Sequence, residues 1–364
     1  MVLVEQLGPE ADVAALYANN VGQKILTLLN EPYYLSGALH HNTPSIGLTL
    51  FRDHDERVED ILKRADLAMY QSKSAGRNTV RFFDPNMQAV VMARSALERD
   101  LRQAVADNEL VLFYQPVVNT ERRVTGYEAL VRWKHPQRGM VSPAEFIPVA
   151  EQTGLILPLG RQVLAMACHQ LALWAADPAR AGWTLSVNVS AQEFRQSEFV
   201  QDVLAVLRDS GADARRLKLE LTESLLLHDV EDSILKMQAL RTLGVGFALD
   251  DFGTGYSSLS YLKRLPLDQL KIDQSFVRDV LTDPNDAAIA RTVVALGTSL
   301  GLRVIAEGVE TEAQREFLER HNCHAWQGYL FSPPVPVAEF EALVRKTNGV
   351  DAQDPQDAHD AHGA

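Results

Sequence analysis

Polar and charged residues stand near the carboxyl ends of most apolar, strand-like stretches in this sequence of 364 residues. A carboxylate in an apolar strand is unfavourable by several kcal/mol unless a partner compensates its charge. A buried ion pair or a helix cap could explain one such residue. Neither explains well why polar residues recur at seven strand ends. The residues concerned are Glu128, Asn188, Glu220, Asp250 with Asp251, Lys271 with Asp273, Glu307 and Gln327. The acidic and amide groups are oxygen donors without His or Cys among them, so the pattern predicts a Mg²⁺ or Mn²⁺ cluster rather than a Zn²⁺ site.

Asp250 and Asp251 are adjacent acids that follow an apolar stretch. Two neighbouring carboxylates repel each other unless a cation lies between them. Glycines and serines come next, so the segment Phe252–Ser258 is predicted to form a tight, mobile loop. The alternative for these two acids alone is an ordinary acidic turn.

Two basic residues occur beside these acids. Lys271 lies inside a strand-like stretch, where it would either extend out to solvent or face the acidic groups and stay charged. In the second position it could orient a water molecule or stabilise a leaving oxygen. Arg132 follows Glu128 by four residues, so both can point to the same side of a strand. Arg132 is therefore a candidate phosphate clamp, with a surface ion pair as the alternative.

Strand-like stretches alternate with helical patterns from about Leu110 to Leu343. Capping boxes predict helix starts at Ser142, Ser190 and Thr311. About eight strands with intervening helices predict a TIM-like (β/α)8 barrel, in which the carboxyl ends of the strands converge on one mouth. An open doubly wound sheet is the alternative, although no glycine-rich phosphate loop follows any strand. The strands are predicted at Val111–Val118, Val124–Trp133, Leu185–Val189, Leu217–Leu221, Phe247–Asp251, Gln269–Ile272, Arg303–Ala306 and His324–Leu330.

Composition bounds the class of protein. Lys and Arg total 35 against 48 Asp and Glu, a net charge of −13, which disfavours long nucleic acids as partners. The two cysteines, Cys168 and Cys323, do not form a disulfide framework. The start lacks a signal peptide and no apolar stretch is long enough to span a bilayer, so we expect a cytoplasmic protein without a membrane segment.

Four regions are predicted along the chain. Residues 1–85 form a small α/β segment, with strands at Ser45–Phe51 and Thr79–Phe83 around a helix at Val58–Ser72. Residues 86–94 are a linker, and the large domain occupies residues 95–346. Residues 347–364 form an acidic tail without apolar periodicity, which predicts disorder.

A series of motifs occurs in order along the large domain: Tyr114–Pro116, Tyr127–Trp133, Pro143–Glu151, Val187–Ser190, Glu220–Glu223, Asp250–Ser258, Lys271–Asp273, Ala306–Glu310 and Gln327–Leu330. With these motifs the domain resembles the EAL family of c-di-GMP phosphodiesterases. The resemblance implies a TIM-like barrel with one irregular strand, hydrolysis of c-di-GMP to linear pGpG, and a homodimer.

The resemblance also implies residue roles. One cation would be held by Glu128, Asn188, Glu220 and Asp250, and a second by Asp250, Asp251 and Glu307. The catalytic residues would be Lys271, which positions the attacking water, Glu307, which assists as a base, and Glu223, which holds the loop Phe252–Ser258. Contacts to the dinucleotide would come from Gln115, Arg132, Gln327 and Asp273. Two such cations, Mg²⁺ or Mn²⁺, would activate water and neutralise the charge on the leaving oxygen.

Residues 45–85 resemble the end of a GGDEF (diguanylate cyclase) domain. The matching stretches include Ser45–Gly47, Arg64–Tyr70 and Gly76–Asn78, but the chain contains no GGDEF signature turn. We therefore expect a truncated remnant without cyclase activity. Two alternatives to an active phosphodiesterase stay open: a c-di-GMP receptor without catalysis, and a scaffold whose GGDEF remnant mediates dimerisation.

Overall fold

The computed structural model describes residues 1–35, 38–40, 42–52, 56–178, 180–226, 229–253 and 262–347. The chain divides into two compact units, Met1–Leu101 and Arg102–Ala364. Most of the predicted loop Phe252–Ser258 and of the predicted disordered tail 347–364 lies outside the described residues. No helix in the described part of the chain is long and apolar enough to cross a bilayer.

The first unit is built around a parallel pair of strands joined by a helix. Register pairs Ser45 with Thr79 and Leu48 with Phe82, and the connecting helix is the crossover that a parallel pair requires. The predicted strands and helix of this segment are therefore confirmed. Its elements are α1 (Ala11–Asn30), β1 (Tyr33–Leu35), β2 (Ala38–His40), β3 (Ser45–Leu48), α2 (Val58–Ser74), β4 (Thr79–Phe82) and α3 (Pro85–Asp107).

The predicted linker 86–94 is helical. It forms the first part of α3, where the sequence has no Gly or Pro after Pro85 to interrupt a helix. Val91 is buried with Phe82 and Ala15, and Met87 packs against the same cluster. Packing of these buried apolar side chains stabilises residues 86–94 as part of the helix.

Gly47 marks the point where β3 meets α2. A Cβ atom there would lie 2.2 Å from the carbonyl oxygen of Ala65 and 2.2 Å from the amide nitrogen of Met69. Both atoms belong to helix backbone, so Gly47→Ala must push the helix off the strand. We expect the free energy of unfolding of this unit to fall by about 1–3 kcal/mol. Thermal unfolding would measure it with Gln71→Ala, at an exposed helical position, as the control; equal stability of both variants would refute the packing argument.

The second unit is a closed barrel of eight strands. Seven strands, from β6 round to β13, are parallel to their neighbours, whereas β5 is antiparallel to both β6 and β13 and closes the barrel. The predicted barrel with one irregular strand is confirmed, and the open doubly wound sheet is wrong. The strands are β5 (Leu110–Asn119), β6 (Val124–His135), β7 (Gly139–Val141), β8 (Leu185–Val189), β9 (Leu217–Thr222), β10 (Gly246–Phe252), β11 (Gln269–Ile272), β12 (Arg303–Ala306), β13 (Ala325–Trp326) and β14 (Val335–Pro336), of which β7 and β14 extend the sheet outside the ring.

The last barrel strand is shorter than the predicted stretch His324–Leu330. The chain leaves the strand after Trp326 and turns at Gly328, where a Cβ atom would lie 2.1 Å from the carbonyl oxygen of Val309. Only glycine fits this close approach of two backbones. The turn leaves Gln327 directly at the end of β13.

Helices connect the barrel strands. Side-chain capping boxes form at Ser190 and Thr311 as predicted, but not at Ser142, because the carboxylate of Glu145 pairs with Arg138 instead. The helices of this unit are α4 (Pro143–Thr153), α5 (Ile156–Ala175), α6 (Ala191–Phe194), α7 (Phe199–Ser210), α8 (Glu223–Leu226), α9 (Val230–Arg241), α10 (Gln274–Arg278), α11 (Pro284–Ser299), α12 (Glu312–Arg320) and α13 (Val337–Thr347), with a short 3-10 turn at Ala214–Arg216.

Candidate metal centre and active site

A buried lysine lies among four carboxylates at the mouth of the barrel. Lys271, on β11, is 1% exposed. Its Nζ lies 2.5 Å from Glu307 Oε1, 3.3 Å from Asp250 Oδ1 and 3.4 Å from Glu128 Oε2, and it also contacts the carboxylate of Glu220. The acids come from β6, β9, β10 and the residue after β12. The structure therefore brings together side chains that are far apart in the sequence, as the convergence of strand ends predicts.

Glu128 is held by three donors. Its carboxylate accepts hydrogen bonds from Asn188 Nδ2 at 2.6 Å and Gln327 Nε2 at 2.6 Å, besides the contact with Lys271. Burial raises the pKa of Glu128, but Lys271 and the two amides outweigh this effect, so its pKa lies below the ordinary value. The surroundings of Glu128 therefore favour its ionised form.

Gln115 and Gln327 meet beneath the mouth. Gln327 Nε2 also donates to Gln115 Oε1 at 3.0 Å, and Gln115 Nε2 donates to the carbonyl of Ser332 at 3.0 Å. Register places Gln115 opposite Glu128 on the antiparallel strand β5. Both glutamines are buried, and Gln327 Oε1 has no hydrogen-bond partner within the described part of the chain. The role of Ser332 was missed by the sequence analysis, because a backbone carbonyl carries no side-chain signal.

Asp250 and Asp251 both face the cluster although they are adjacent in a strand. Ligand oxygens of Asp250, Asp251 and Glu307 all lie within 4.8 Å of one another. Neighbours in a regular strand point to opposite faces. Here Asp251 has a φ of 53° and the register with β11 shifts between Leu249 and Phe252, which is the effect of a bulge. The irregular backbone therefore turns two adjacent carboxylates towards one point.

The acids outnumber the cation that neutralises them. Burial raises the pKa of Glu220 to about 8, against the opposing effect of Lys271 and with the repulsion of Glu128 and Asp250. Burial and the neighbouring Asp250 raise the pKa of Asp251 to about 6. Burial also raises the pKa of Glu307 well above its usual range. Lys271 alone does not compensate these carboxyl groups, and hard divalent cations would add the positive charge that stabilises their ionised forms.

Cation binding should strengthen as the pH rises from about 6 to about 8. The raised pKa values of Asp251 and Glu220 mean that the ion-free protein holds protons there at low pH. A cation must displace those protons, so its apparent affinity increases with pH. Thermal unfolding with and without Mn²⁺ should therefore give a larger rise in Tm at pH 8 than at pH 6. The same rise at both pH values would contradict this assignment.

Glu223 and Asp273 lie at the edges of the cluster. Glu223 is 4% exposed and its Oε2 accepts the backbone N–H of Gly253 at 3.4 Å. This contact is at the start of the predicted loop, whose residues 254–258 lie outside the described residues. Asp273 caps α10 by accepting the N–H of Ser275 at 2.9 Å, and its charge contributes to the raised pKa of Asp251. Asp273 therefore adjoins the acidic cluster rather than standing apart from it.

Arg132 is half-buried on β6. Its Nη1 donates to the carbonyl of Val131 at 2.8 Å, and the guanidinium lies 5.7 Å from the ring centre of Phe113. Burial lowers the pKa of Arg132, while the exposed Tyr329 and Glu128 oppose that effect. No carboxylate forms an ion pair with Arg132 among the described residues, so they offer no support for the alternative of a surface ion pair.

Two regions of the chain match known protein families. Residues 98–334 match the family model described as EAL domain. Residues 3–79 match the model described as diguanylate cyclase, GGDEF domain. The first match covers the barrel strands and the clustered acids, and the second lies within the first unit.

Named relatives share both regions. The chain is 42% identical over 345 residues to the bifunctional diguanylate cyclase/cyclic di-GMP phosphodiesterase MucR of Pseudomonas aeruginosa, covering 94% of this chain and 49% of MucR. It is 40% identical over 330 residues to the cyclic di-GMP phosphodiesterase NbdA of the same organism, covering 90% of this chain and 42% of NbdA. The chain thus spans about half the length of the curated relatives it matches.

The fold is also similar to a solved structure. A structure described as the PaMucR phosphodiesterase in complex with c-di-GMP superposes with a TM-score of 0.65 and 46% sequence identity. The match covers 67% of this chain and 99% of that chain. The similarity therefore accounts for nearly the whole of that domain.

Proposed function

Because the chain belongs to the EAL domain family, we propose that it is a metal-dependent phosphodiesterase that hydrolyses c-di-GMP to linear pGpG. The observation that carries the proposal is the convergence of four carboxylates on Lys271 at the barrel mouth. The names of MucR and NbdA and the c-di-GMP complex of PaMucR support the choice of substrate.

The residues at the mouth fit hard divalent cations. The donors are carboxylate and amide oxygens, which suit Mg²⁺ or Mn²⁺, and the buried acids exceed the single lysine that compensates them. One ion would be held by Glu128, Asn188, Glu220 and Asp250, and a second by Asp250, Asp251 and Glu307. When bound, such ions make water nucleophilic at neutral pH and offset the charge that develops on the leaving oxygen.

The chain's own residues would supply positioning and proton transfer. Lys271 donates hydrogen bonds from within the acidic cluster and would orient the attacking water. Glu307, next to it, would accept the proton of that water in its ionised form, which a bound cation would favour against the effect of burial on its pKa. Glu223 would hold the backbone that follows Asp251 through its contact with Gly253.

Substrate contacts would come from the residues around the acids. Arg132 has no carboxylate ion-pair partner among the described residues and would bind a phosphate of the dinucleotide. Gln327 would contact the dinucleotide, and its Oε1 has no hydrogen-bond partner in the part of the chain that the structure describes. Gln115 accepts a hydrogen bond from Gln327 and so holds the amide of Gln327 in place. Asp273, at the edge of the cluster, would also contact the dinucleotide.

The whole-chain properties are further proposals. The two free, buried cysteines are compatible with a reducing compartment such as the cytoplasm. We expect a homodimer through the EAL domain, and no cyclase activity, because the chain contains no GGDEF signature turn. The domain limits proposed are 1–85 for the GGDEF-like segment and 95–346 for the phosphodiesterase.

A turnover assay tests the proposal. Purified protein would be incubated with c-di-GMP and Mg²⁺ or Mn²⁺, and pGpG would be measured by chromatography. We expect pGpG with either ion and none in a parallel reaction that contains a chelator. Binding of c-di-GMP without any product in the presence of both ions would overturn the enzyme assignment in favour of a receptor.

A further inference from the structure

A second polar site lies inside the barrel, towards the amino ends of the strands. Side chains two residues apart on a strand point to the same side, so Lys218 faces inward below Glu220 and Gln269 faces inward below Lys271. These residues line a small cavity together with three hydroxyl side chains and the exposed Arg303. The polar lining consists of Thr125, Thr184, Ser186, Lys218, Gln269 and Arg303.

Lys218 and Arg303 both line this cavity, and no acid is among its lining residues within the described part of the chain. Lys218 is half-buried and Arg303 is exposed. Within the described part of the chain, neither side chain takes part in an ion pair or a side-chain hydrogen bond. Two positive charges that line one cavity repel each other, and a shared counter-ion would relieve this repulsion.

The acids nearest to Lys218 do not fill this role. Asp268 and Glu220 both favour its charged form. The carboxylate of Asp268 is engaged by Arg241 at 3.2 Å and by the backbone N–H of Phe247 at 2.8 Å. Glu220 contacts Lys271. The positive charge at the cavity is therefore available to a ligand.

Gln269 needs a hydrogen-bond donor from whatever molecule occupies the cavity. It is 5% exposed, and its Oε1 has no partner within the described residues. The cavity has a volume of about 10 Å³, room for one water molecule or one ligand oxygen. An oxyanion that carries a hydroxyl group could donate from that oxygen to Gln269, while its other oxygens lie towards Lys218 and Arg303. Hydrogen phosphate has this combination of negative charge and hydroxyl donor, whereas sulfate lacks the donor.

We propose that Lys218, Arg303 and Gln269 bind inorganic phosphate at the amino end of the barrel. The ion would enter from the exposed side of Arg303 with one oxygen in the cavity. Gly246, paired with Lys218 in the neighbouring strand, leaves space for the lysine stem: a Cβ atom there would lie 3.1 Å from Lys218 Cγ. The site is separate from the acidic mouth and does not depend on the proposed hydrolysis.

Binding would be measured by calorimetry on the full chain. The protein is kept metal-free with a chelator, because phosphate also binds divalent cations, and ionic strength is held constant with NaCl. We expect phosphate to bind, and sulfate to bind about tenfold more weakly because the hydrogen bond to Gln269 is lost. A phosphomonoester such as guanosine monophosphate, which is mostly without a hydroxyl on phosphorus at pH 8, should resemble sulfate.

Variants identify the site. Lys218→Met and Arg303→Gln should each weaken phosphate binding about tenfold or more, and Arg208→Gln, at a residue whose side chain is 77% exposed, should leave it unchanged. If Lys218→Met fails to fold, the exposed Arg303 variant carries the test. No phosphate binding by the wild type, or the same affinity in all three variants, would overturn the proposal. Equal affinity for sulfate would overturn the role of Gln269 and with it the choice of phosphate.

Discussion

Glu128→Ala is expected to reduce turnover of c-di-GMP by about a thousandfold or more. Glu128 gathers hydrogen bonds from Asn188, Gln327 and Lys271, and it is the acid whose pKa the surroundings lower. Removing it would take away a proposed cation ligand and also an acceptor shared by the buried side chains of Lys271 and Gln327 and by the exposed Asn188. The loss of turnover would therefore have two causes: weaker cation binding, and side-chain amides of Asn188 and Gln327 that are no longer held by Glu128.

The measurement compares pGpG formation by the variant and the wild type with saturating Mn²⁺. Glu128→Gln keeps the size of the side chain but not its charge, and we expect it to be nearly as inactive. Glu121→Ala is the matched control, because that acid is 65% exposed on the turn before the same strand. Thermal unfolding would establish that each variant is folded. Normal turnover by folded Glu128→Ala would end the assignment of the metal centre.

Lys271→Met is expected to slow hydrolysis strongly while leaving cation binding intact. The ammonium group is the positive charge that all four carboxylates contact. Without it the acids would repel one another more strongly, so divalent cations should bind at least as tightly as in the wild type. Turnover should nevertheless fall by about a hundredfold or more, because the group that would orient the attacking water is gone.

Two readouts separate these effects. Product formation reports the catalytic loss, and the rise in Tm on adding Mn²⁺ reports cation binding. Lys134→Met, at an exposed position on β6, is the control and should behave as wild type in both. A folded Lys271→Met variant that still turns over substrate normally would contradict the proposed role. A variant that loses the Mn²⁺-dependent rise in Tm would instead mean that Lys271 supports the metal centre itself.

The sequence predicts the barrel well because apolar strand stretches and helix signals alternate clearly. Seven of the eight predicted barrel strands match closely in position, and the acidic residues near their ends do come together. What strand periodicity could not predict is the orientation of Asp251. Strict alternation would point Asp251 away from Asp250, and only the local irregularity of β10 brings both to the mouth.

Other differences have equally local causes. The stretch around Trp326 was predicted as a full strand, because apolar composition alone does not reveal that the backbone of Val309 crowds Gly328. Residues 86–94 were predicted as a linker, whereas burial of Val91 makes them part of a helix. The inward position of Lys218 also escaped prediction, since a lysine on a strand is ordinarily expected at the surface.

The antiparallel seam between β5 and β13 has a consequence for how the domain is made. Trp326 pairs with Val118, so the first and last strands of the ring hydrogen-bond to each other. Contacts between such distant parts of a chain form slowly and late in folding. During synthesis on the ribosome the ring stays open until Trp326 has emerged, and Gln327 reaches Glu128 only after that. A nascent chain that stalls before this point would expose unpaired strand edges, which favour aggregation, and would not yet have assembled the proposed metal centre.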